Sequence, residues 1–426
     1  MGAAAKQTTW LKLDNAGKIF PGQNTSKWSN IFRITAVLKE AVDPKILERA
    51  LRGTLPRFPC FDVRIRRGFF WYYFEKNPNI APPVMPDIKN PCYRVNFREN
   101  DGFLFRVYYR ENRISIDFYH ALSDAYGASR LLSTITAQYL RLCGNHIPAG
   151  GSVLSVDEPA SPDELEDAYR RYANSKGKRK RGDGLVYHTG GTRMPPHTMN
   201  ITTGFMPIDK IKSKAAEHGV SVTEFLAAAL LYVHYEKQKN ERRRQKPIVV
   251  QIPVNLRNVF PSETLRNFSL WYSVGIDPKM GEYTFDDVLR QVSLSLRLSH
   301  NEKNLNAMIT ANMKIESNPA MRLLPLFVKD PIIALTFAVS RELTSTAVVS
   351  NLGIIKVPSE MERLVDKFIL VNCPGVRNGG RCAVVSFKDT LAATFSNIFA
   401  ESDIEREFFR MFVKMGIPVK IESNRA

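Results

Sequence analysis

The chain has 426 residues, 44% of them hydrophobic and 10% aromatic, which is enough apolar material for a large core and for two or three domain-sized units. Charged residues make up 24% and 25 prolines are spread along the chain, a composition that excludes a disordered or low-complexity polymer. Lys and Arg number 60 against 42 Asp and Glu, and the resulting charge of +18 means either well-solvated basic surface or attraction for a polyanion.

In chain order, the opening Met-Gly-Ala-Ala-Ala-Lys has no apolar h-region, and Lys6 stands where a myristoylation site wants Ser or Thr, so neither targeting signal is read here. "DPKILERALRGTL" (43–55) predicts a helix capped by Asp43, with Pro44 in its first turn and Leu47, Ala50 and Leu51 facing inward. "FDVRIRRGFFWYYFE" (61–75) predicts a hairpin around an Arg-Gly turn, and "GFLFRVYYRENRISIDFYH" (102–120) a second one with Glu111-Asn112 at its tip. In the second arm Ile114, Ile116, Phe118 and His120 share one face, so His120 ends an apolar row and points inward. After Ser123-Asp124, the residues Ala128, Leu131, Leu132, Ile135 and Tyr139 recur at helical spacing.

From about 145 to 200 the sequence turns rich in Gly, Pro, Ser and charge, with a short helix around 162–174. It reads as a crossover, dividing the chain into an N-terminal unit (1–150), a linker (151–200) and a C-terminal unit (201–426). The second half opens with an edge strand near 201–207 and a helix ending at Gly219. Next comes a helix over 221–238, in which Ser221 and Glu224 form a capping box. "PIVVQIPVNLR" (247–257) is a buried strand leading to Arg257; helices cover 284–298, 303–317 and 320–329, and three or four strands lie between 331 and 397. A closing helix over 402–416 is capped by Asp403 and stopped by Gly416. Strands and helices mixed in both halves predict an α+β fold of two similar lobes.

The five cysteines (Cys60, Cys92, Cys143, Cys373, Cys382) are odd in number and lack CxxC spacing, and the histidines are dispersed without HExxH, so reduced thiols and no metal site are expected. The basic runs "KGKRKRG" (176–182) and "KQKNERRRQK" (237–246) do not interleave with aromatics, and no nucleic-acid module signature is present. No nucleic-acid partner is expected. The longest apolar runs, such as "PIIALTFAV" (331–339), are about half the length of a membrane span, so the sequence is read as a soluble, cytoplasmic protein.

His120 and Asp124 form an HxxxD pattern, for which chance alone gives roughly a third of a match. Two readings of the residues stand side by side: a core histidine beside an ordinary helix cap, or a base presented at a strand end next to a loop. "FYHALSDAYGASRLL" resembles the active-site motif of the chloramphenicol acetyltransferase-like superfamily. That group includes plant BAHD acyltransferases, condensation domains and alcohol acetyltransferases. "LDNAGKIFPG" (13–22), "RFPCFDVRIRRGFFWYYFE" (57–75) and "VQIPVNLRNVFPSETLRNFSLW" (250–271) resemble the bacterial alcohol acetyltransferase group, so the likeness spans nearly the whole chain.

The resemblance implies two acetyltransferase-like lobes, each a mixed sheet with helices, with a tunnel at their interface. It implies an acyl-CoA-dependent O-acyltransferase using acetyl-CoA or another acyl-CoA as co-substrate and a small alcohol as acceptor, with no permanently bound cofactor. The chain would act as a monomer. An acyl carrier protein as donor, and a non-catalytic relative that keeps the fold, are the alternatives. The resemblance gives His120 the role of general base. Asp124 would hold the loop through an ion pair to Arg257 of the second lobe. Two departures stand out: Tyr119 replaces the first histidine of the doubled pair of condensation domains, and Ala125 replaces the glycine that often follows the aspartate. The plant DFGWG motif is absent; its nearest counterpart, "VVSNLGI" (348–354), offers Ser350 and Asn351 as candidates to stabilise an oxyanion, and Asn255 is a further candidate. A plain strand end is the alternative at that segment.

Overall fold

The computed structural model describes residues 10–24, 30–94, 96–174, 184–242, 244–340, 343–375 and 380–425. The "KGKRKRG" run lies outside the described residues. The fold is α+β, with two lobes built on two mixed sheets. Five strands form the first sheet in the order Val365–Asn372, Ile31–Leu38, Arg113–Tyr119, Phe105–Arg110 and Val84–Pro86. Seven form the second: Ser269–Ile276, Ile248–Asn255, Ala347–Ile354, Arg381–Phe387, Thr390–Asn397, Asn200–Pro207 and Lys420–Ser423. A small third sheet joins Trp10–Lys12 to the hairpin of Val63–Arg67 and Tyr72–Lys76.

Local signals set most of these elements. Asp43 accepts hydrogen bonds from the backbone N–H of Lys45 and Ile46 at 2.7 and 3.2 Å, and starts the helix Pro44–Thr54. Ser221 and Glu224 make their reciprocal bonds at the start of Val222–Lys239. Helix Ala125–Leu142 packs beside Pro44–Thr54 and behind the first sheet. The Arg113–Tyr119 strand is buried on both faces: Asp117 pairs with Arg33 at 2.5 Å on the face opposite Ile116 and Phe118.

The second sheet is shared between two apolar cores. On Arg381–Phe387, Ala383, Val385 and Phe387 join the first core, whereas Cys382 and Val384 join the second. That is the two-residue period of a strand covered on both sides. The first sheet is not made from the first 150 residues alone: Val365–Asn372 pairs with Ile31–Leu38, and Phe368 stacks its ring edge-on against Phe387 at 5.0 Å.

Four local expectations are corrected. Asn200–Pro207 is not an edge strand, because Lys420–Ser423 pairs along it; Gly204 in that strand leaves room for the Phe409 ring, which a Cβ would meet at 2.2 Å. Asp403 is the first residue of its helix (Asp403–Lys414) rather than the cap, and its carboxylate goes instead to Lys237 at 2.9 Å. The helix around 162–174 is broken into a turn Pro162–Leu165 and a short helix Ala168–Tyr172. Residues 331–339 continue a helix, Leu326–Ser340, so the strands of that region begin only at Ala347. The run 237–246 starts in the last turn of Val222–Lys239, where Lys237 and Lys239 pair with Asp403 and Glu282.

Candidate active site

His120 follows the last residue of Arg113–Tyr119, and three separate parts of the chain hold it. Its backbone N–H donates to the Asn30 carbonyl at 2.8 Å. Its ring stacks on Phe20 with centroids 4.8 Å apart and meets Phe32 edge-on at 5.2 Å. Its Nδ1 lies 3.1 Å from Asn267 Oδ1. The orientation of that amide is fixed by its other end: Asn267 Nδ2 donates to the His120 carbonyl at 2.9 Å and to Asp14 Oδ2 at 3.2 Å. Oxygen therefore faces the ring, and it can only accept. In the neutral imidazole the proton sits on Nδ1, and Nε2 keeps the lone pair.

Asp14 is fully buried. It also accepts from Gly17 N–H at 2.6 Å and stands 3.7 Å from Arg266 Nε. Burial pushes its pKa up to about 6, against the opposing pull of Arg266. His234 is a useful contrast: fully buried, bonded through Nδ1 to Thr189 Oγ1 at 3.1 Å, it is held neutral by burial, with its pKa lowered to about 3. His234 is the core histidine of this chain; His120 is partly exposed.

Asp124 is both cap and ion-pair partner. Oδ1 accepts from Tyr126 and Gly127 N–H at the start of Ala125–Leu142, and Oδ2 accepts from Arg257 Nη1 and Phe268 N–H, both at 2.9 Å. Arg257 in turn has every guanidinium nitrogen engaged. Nε and Nη2 donate to the Thr264 carbonyl, Nη2 also to the Arg266 carbonyl, and Nη1 to Asn255 Oδ1 as well as Asp124. Its plane lies over the Tyr126 ring at 4.4 Å. The structure thus brings His120, Asp124 and Arg257 into one network with Asn267 and Asp14.

The remaining sequence candidates separate. Asn255 spends its oxygen on Arg257, through the backbone N–H and Nη1, both at 3.1 Å. Asn351 donates to Thr223 Oγ1 at 3.0 Å on the helix-covered side of its strand, the side of Val349 in the second core. Ser350 points the opposite way, with Leu352, towards the first core, to which Phe20 and Phe32 belong. Asn267, Asp14 and Phe20 were not singled out in the sequence. Each nonetheless lies inside one of the stretches carrying the resemblance, 13–22 and 250–271.

Beside the network lies a cavity of about 700 Å³ lined by Trp10, Lys18, Trp71, Arg170 and Arg322 among others; His120 is not part of its lining. Lys18 sits between Asp14 and Phe20 in sequence and pairs with Glu316 at 2.5 Å. Among the described residues no group of three or more His, Cys, Asp or Glu could hold a metal ion.

The fold defined by these sheets is shared with solved condensation domains and with an O-acetyltransferase. Solved structures that share it include polyketide synthase associated protein 5 from Mycobacterium tuberculosis, with a TM-score of 0.61 and 14% identity, covering 95% of this chain and 97% of that one. The starter condensation domain of rhizomide synthetase, solved with C8-CoA and Leu-SNAC, has a TM-score of 0.62 at 14% identity, with 96% and 93% covered. Trichothecene 15-O-acetyltransferase from Fusarium sporotrichioides has a TM-score of 0.58 at 10% identity, with 97% and 96% covered. No protein-family model matches the sequence, and no curated protein matches it either.

Proposed function

We propose that this chain is an acyl-CoA-dependent O-acyltransferase, acting as an alcohol O-acetyltransferase, with His120 as general base. The observation that carries the reading is the clamp on His120: Asn267 fixes the proton on Nδ1 and two phenylalanine rings hold the imidazole, so Nε2 is a preformed base. In the reaction Nε2 takes the proton of the acceptor hydroxyl as its oxygen attacks the thioester carbonyl. The tetrahedral oxyanion then collapses, the C–S bond breaks, and the imidazolium returns the proton to the departing sulfur. The acceptor leaves as an ester and CoA as a thiol. Asp124 and Arg257 hold the loop and do not touch the reacting atoms. Ser350 is the first candidate oxyanion donor, since Asn351 commits its amide N–H to Thr223; Asn255 is the second, because Arg257 engages only its oxygen, which cannot donate. A tunnel between the lobes would bring the two substrates to His120 from opposite sides.

A neighbour solved with C8-CoA and another that is an O-acetyltransferase support a thioester donor and a hydroxyl acceptor. The condensation-domain neighbours favour a carrier-bound donor as the second reading; Tyr119 in place of a doubled histidine speaks against it. Purified protein incubated with acetyl-CoA and a panel of alcohols, with free thiol followed colorimetrically, tests the proposal. His120→Ala should lower turnover roughly 10²–10⁴-fold while the protein stays folded. Near-normal turnover in that variant would remove His120 from the chemistry. Turnover only with an acyl carrier protein would favour the second reading.

A further inference from the structure

The helix Leu326–Ser340 is inverted relative to an ordinary surface helix. Its charged residues face the protein: Lys329 is fully buried, donates to the Phe70 carbonyl at 2.7 Å and lies 3.4 Å from the Trp71 ring, while Asp330 accepts from Tyr72 Oη at 2.9 Å. Over residues 326–336 its exposed side is mostly apolar: Val328 (36%), Ile332 (44%) and Leu335 (68%) follow at spacings of four and three, and Phe327 is 65% exposed beside them. The backbone N–H of Leu326 donates to the Phe69 carbonyl at 3.0 Å, which joins this face to the hairpin tip, where Phe69 is 66% exposed. Leu323, just before this helix in sequence, is 71% exposed. Water is a poor partner for such a face, and contiguous exposed apolar patches of this kind mark interaction sites.

The charges around the patch choose the partner. Arg66 and Arg67 precede Phe69 on the hairpin, Arg322 precedes Leu323, and all three are exposed. Arg66 shares Glu75 with Arg64, and Arg67 stands 3.8 Å from Asp330, so the rim keeps a positive excess on a chain of net charge +18. Two copies meeting through this face would bring like-charged rims together. An anionic lipid surface presents the opposite: an apolar interior to take the phenylalanine and leucine side chains, and negative headgroups for the arginines. Among the described residues no helix is long and apolar enough to cross a membrane, so the contact would lie on the bilayer rather than span it.

We propose that the face formed by residues 327–335 and the Phe69-Phe70 hairpin tip docks on an anionic membrane surface. The proposal does not depend on acyl transfer, and its test reads binding alone. Flotation with phosphatidylcholine vesicles containing phosphatidylglycerol should carry the full-length protein to the top of the gradient. Pure phosphatidylcholine vesicles, or high salt, should weaken that markedly. The double substitution Phe327→Ser and Leu335→Ser should cut the bound fraction roughly tenfold, with an unchanged thermal midpoint. Failure of the wild-type protein to float with anionic vesicles overturns the proposal, and so does flotation unaffected by the double substitution. A concentration-dependent dimer in sedimentation velocity that the same substitutions abolish, without vesicle binding, would assign the face to a second copy instead.

Discussion

Arg257 reaches across 133 positions of sequence to place Nη1 at 2.9 Å from Asp124 Oδ2, and both side chains are nearly buried, 6% and 10% exposed. The carboxylate is shared four ways, between a helix N-terminus and the second lobe, so the pair ties the start of Ala125–Leu142 to the segment 264–268. Removing one partner leaves an unpaired buried charge, which typically costs roughly 3–5 kcal/mol. Asp124→Ala and Arg257→Ala should each lower stability in urea denaturation and turnover together. Each loss extends beyond the pair: Arg257→Ala strands the carbonyls of Thr264 and Arg266, and Asp124→Ala the backbone N–H groups of Tyr126, Gly127 and Phe268. The double variant should lose much less than the sum of the single losses. Additive losses would mean that the pair does not act as one unit.

Asn267 acts on His120 rather than on substrate, so it is a positioning residue. Replacing it by Ala removes the acceptor that holds the proton on Nδ1 and leaves both tautomers accessible. The expected result is a turnover number reduced by roughly an order of magnitude or more, with little change in the Michaelis constant for acyl-CoA. A structural role alone would not alter the ring's protonation, so nitrogen NMR of His120 is the decisive readout. The wild-type imidazole should show a protonated Nδ1 and an unprotonated Nε2, and Asn267→Ala a mixture. An unchanged spectrum would show that something other than Asn267 fixes the tautomer.

Legibility in the sequence followed the range of each interaction. Asp43 capping its helix and the Ser221–Glu224 box were readable because the partners lie two or three residues away. The strand exchange was not: nothing in Val365–Asn372 says that its neighbour will be Ile31–Leu38, because the pairing is decided by which sheet has an open edge. The short polar strand Lys420–Ser423 gave no apolar alternation to read. HxxxD itself does not say how the histidine ring is held: at His120 the partner is Asn267, whose amide is oriented by Asp14, 253 positions away. Ser350 and Asn351 were not separable in sequence: one step along a strand reverses the face, and the Asn351 amide turns to Thr223 on the side opposite Ser350.

Asp14 gives a pH signature. Its folded pKa, about 6, lies above the ordinary 3.8, so the folded state favours the protonated carboxyl. Its contribution is therefore fully present below pH 3.8 and is lost as the pH rises through about 6. Asp14→Asn keeps an acceptor for Asn267 Nδ2 and has no such titration. Between pH 4 and 7 the variant should gain on the wild type by roughly 2–3 kcal/mol in urea unfolding. A stability difference that stays flat over that window would mean that Asp14 titrates normally and that its neighbours solvate the charge.

Gly127 tests how tightly the helix start is pressed on the second lobe. A Cβ at this position would meet the Leu265 carbonyl oxygen at 2.1 Å and Ser123 Oγ at 2.2 Å, and the first of these is backbone that no rotamer can move aside. Gly53, near the end of Pro44–Thr54, has only Gln138 Nε2 nearby, at 3.8 Å. Alanine is the better helix former by about 1 kcal/mol at an exposed position, so Gly53→Ala should stabilise by up to that amount. At Gly127 the clash should reverse the sign, because forcing a methyl group into a filled site costs typically 1–3 kcal/mol and here must also displace the loop between His120 and the helix. Gly127→Ala should therefore lower the urea midpoint and the turnover together, while Gly53→Ala raises the midpoint and leaves turnover unchanged. Equal stabilisation by both substitutions would show that residues 123–127 do not rest on Leu265, and that the loop carrying His120 is anchored by its bonds to Arg257, Asn267 and Phe268 instead.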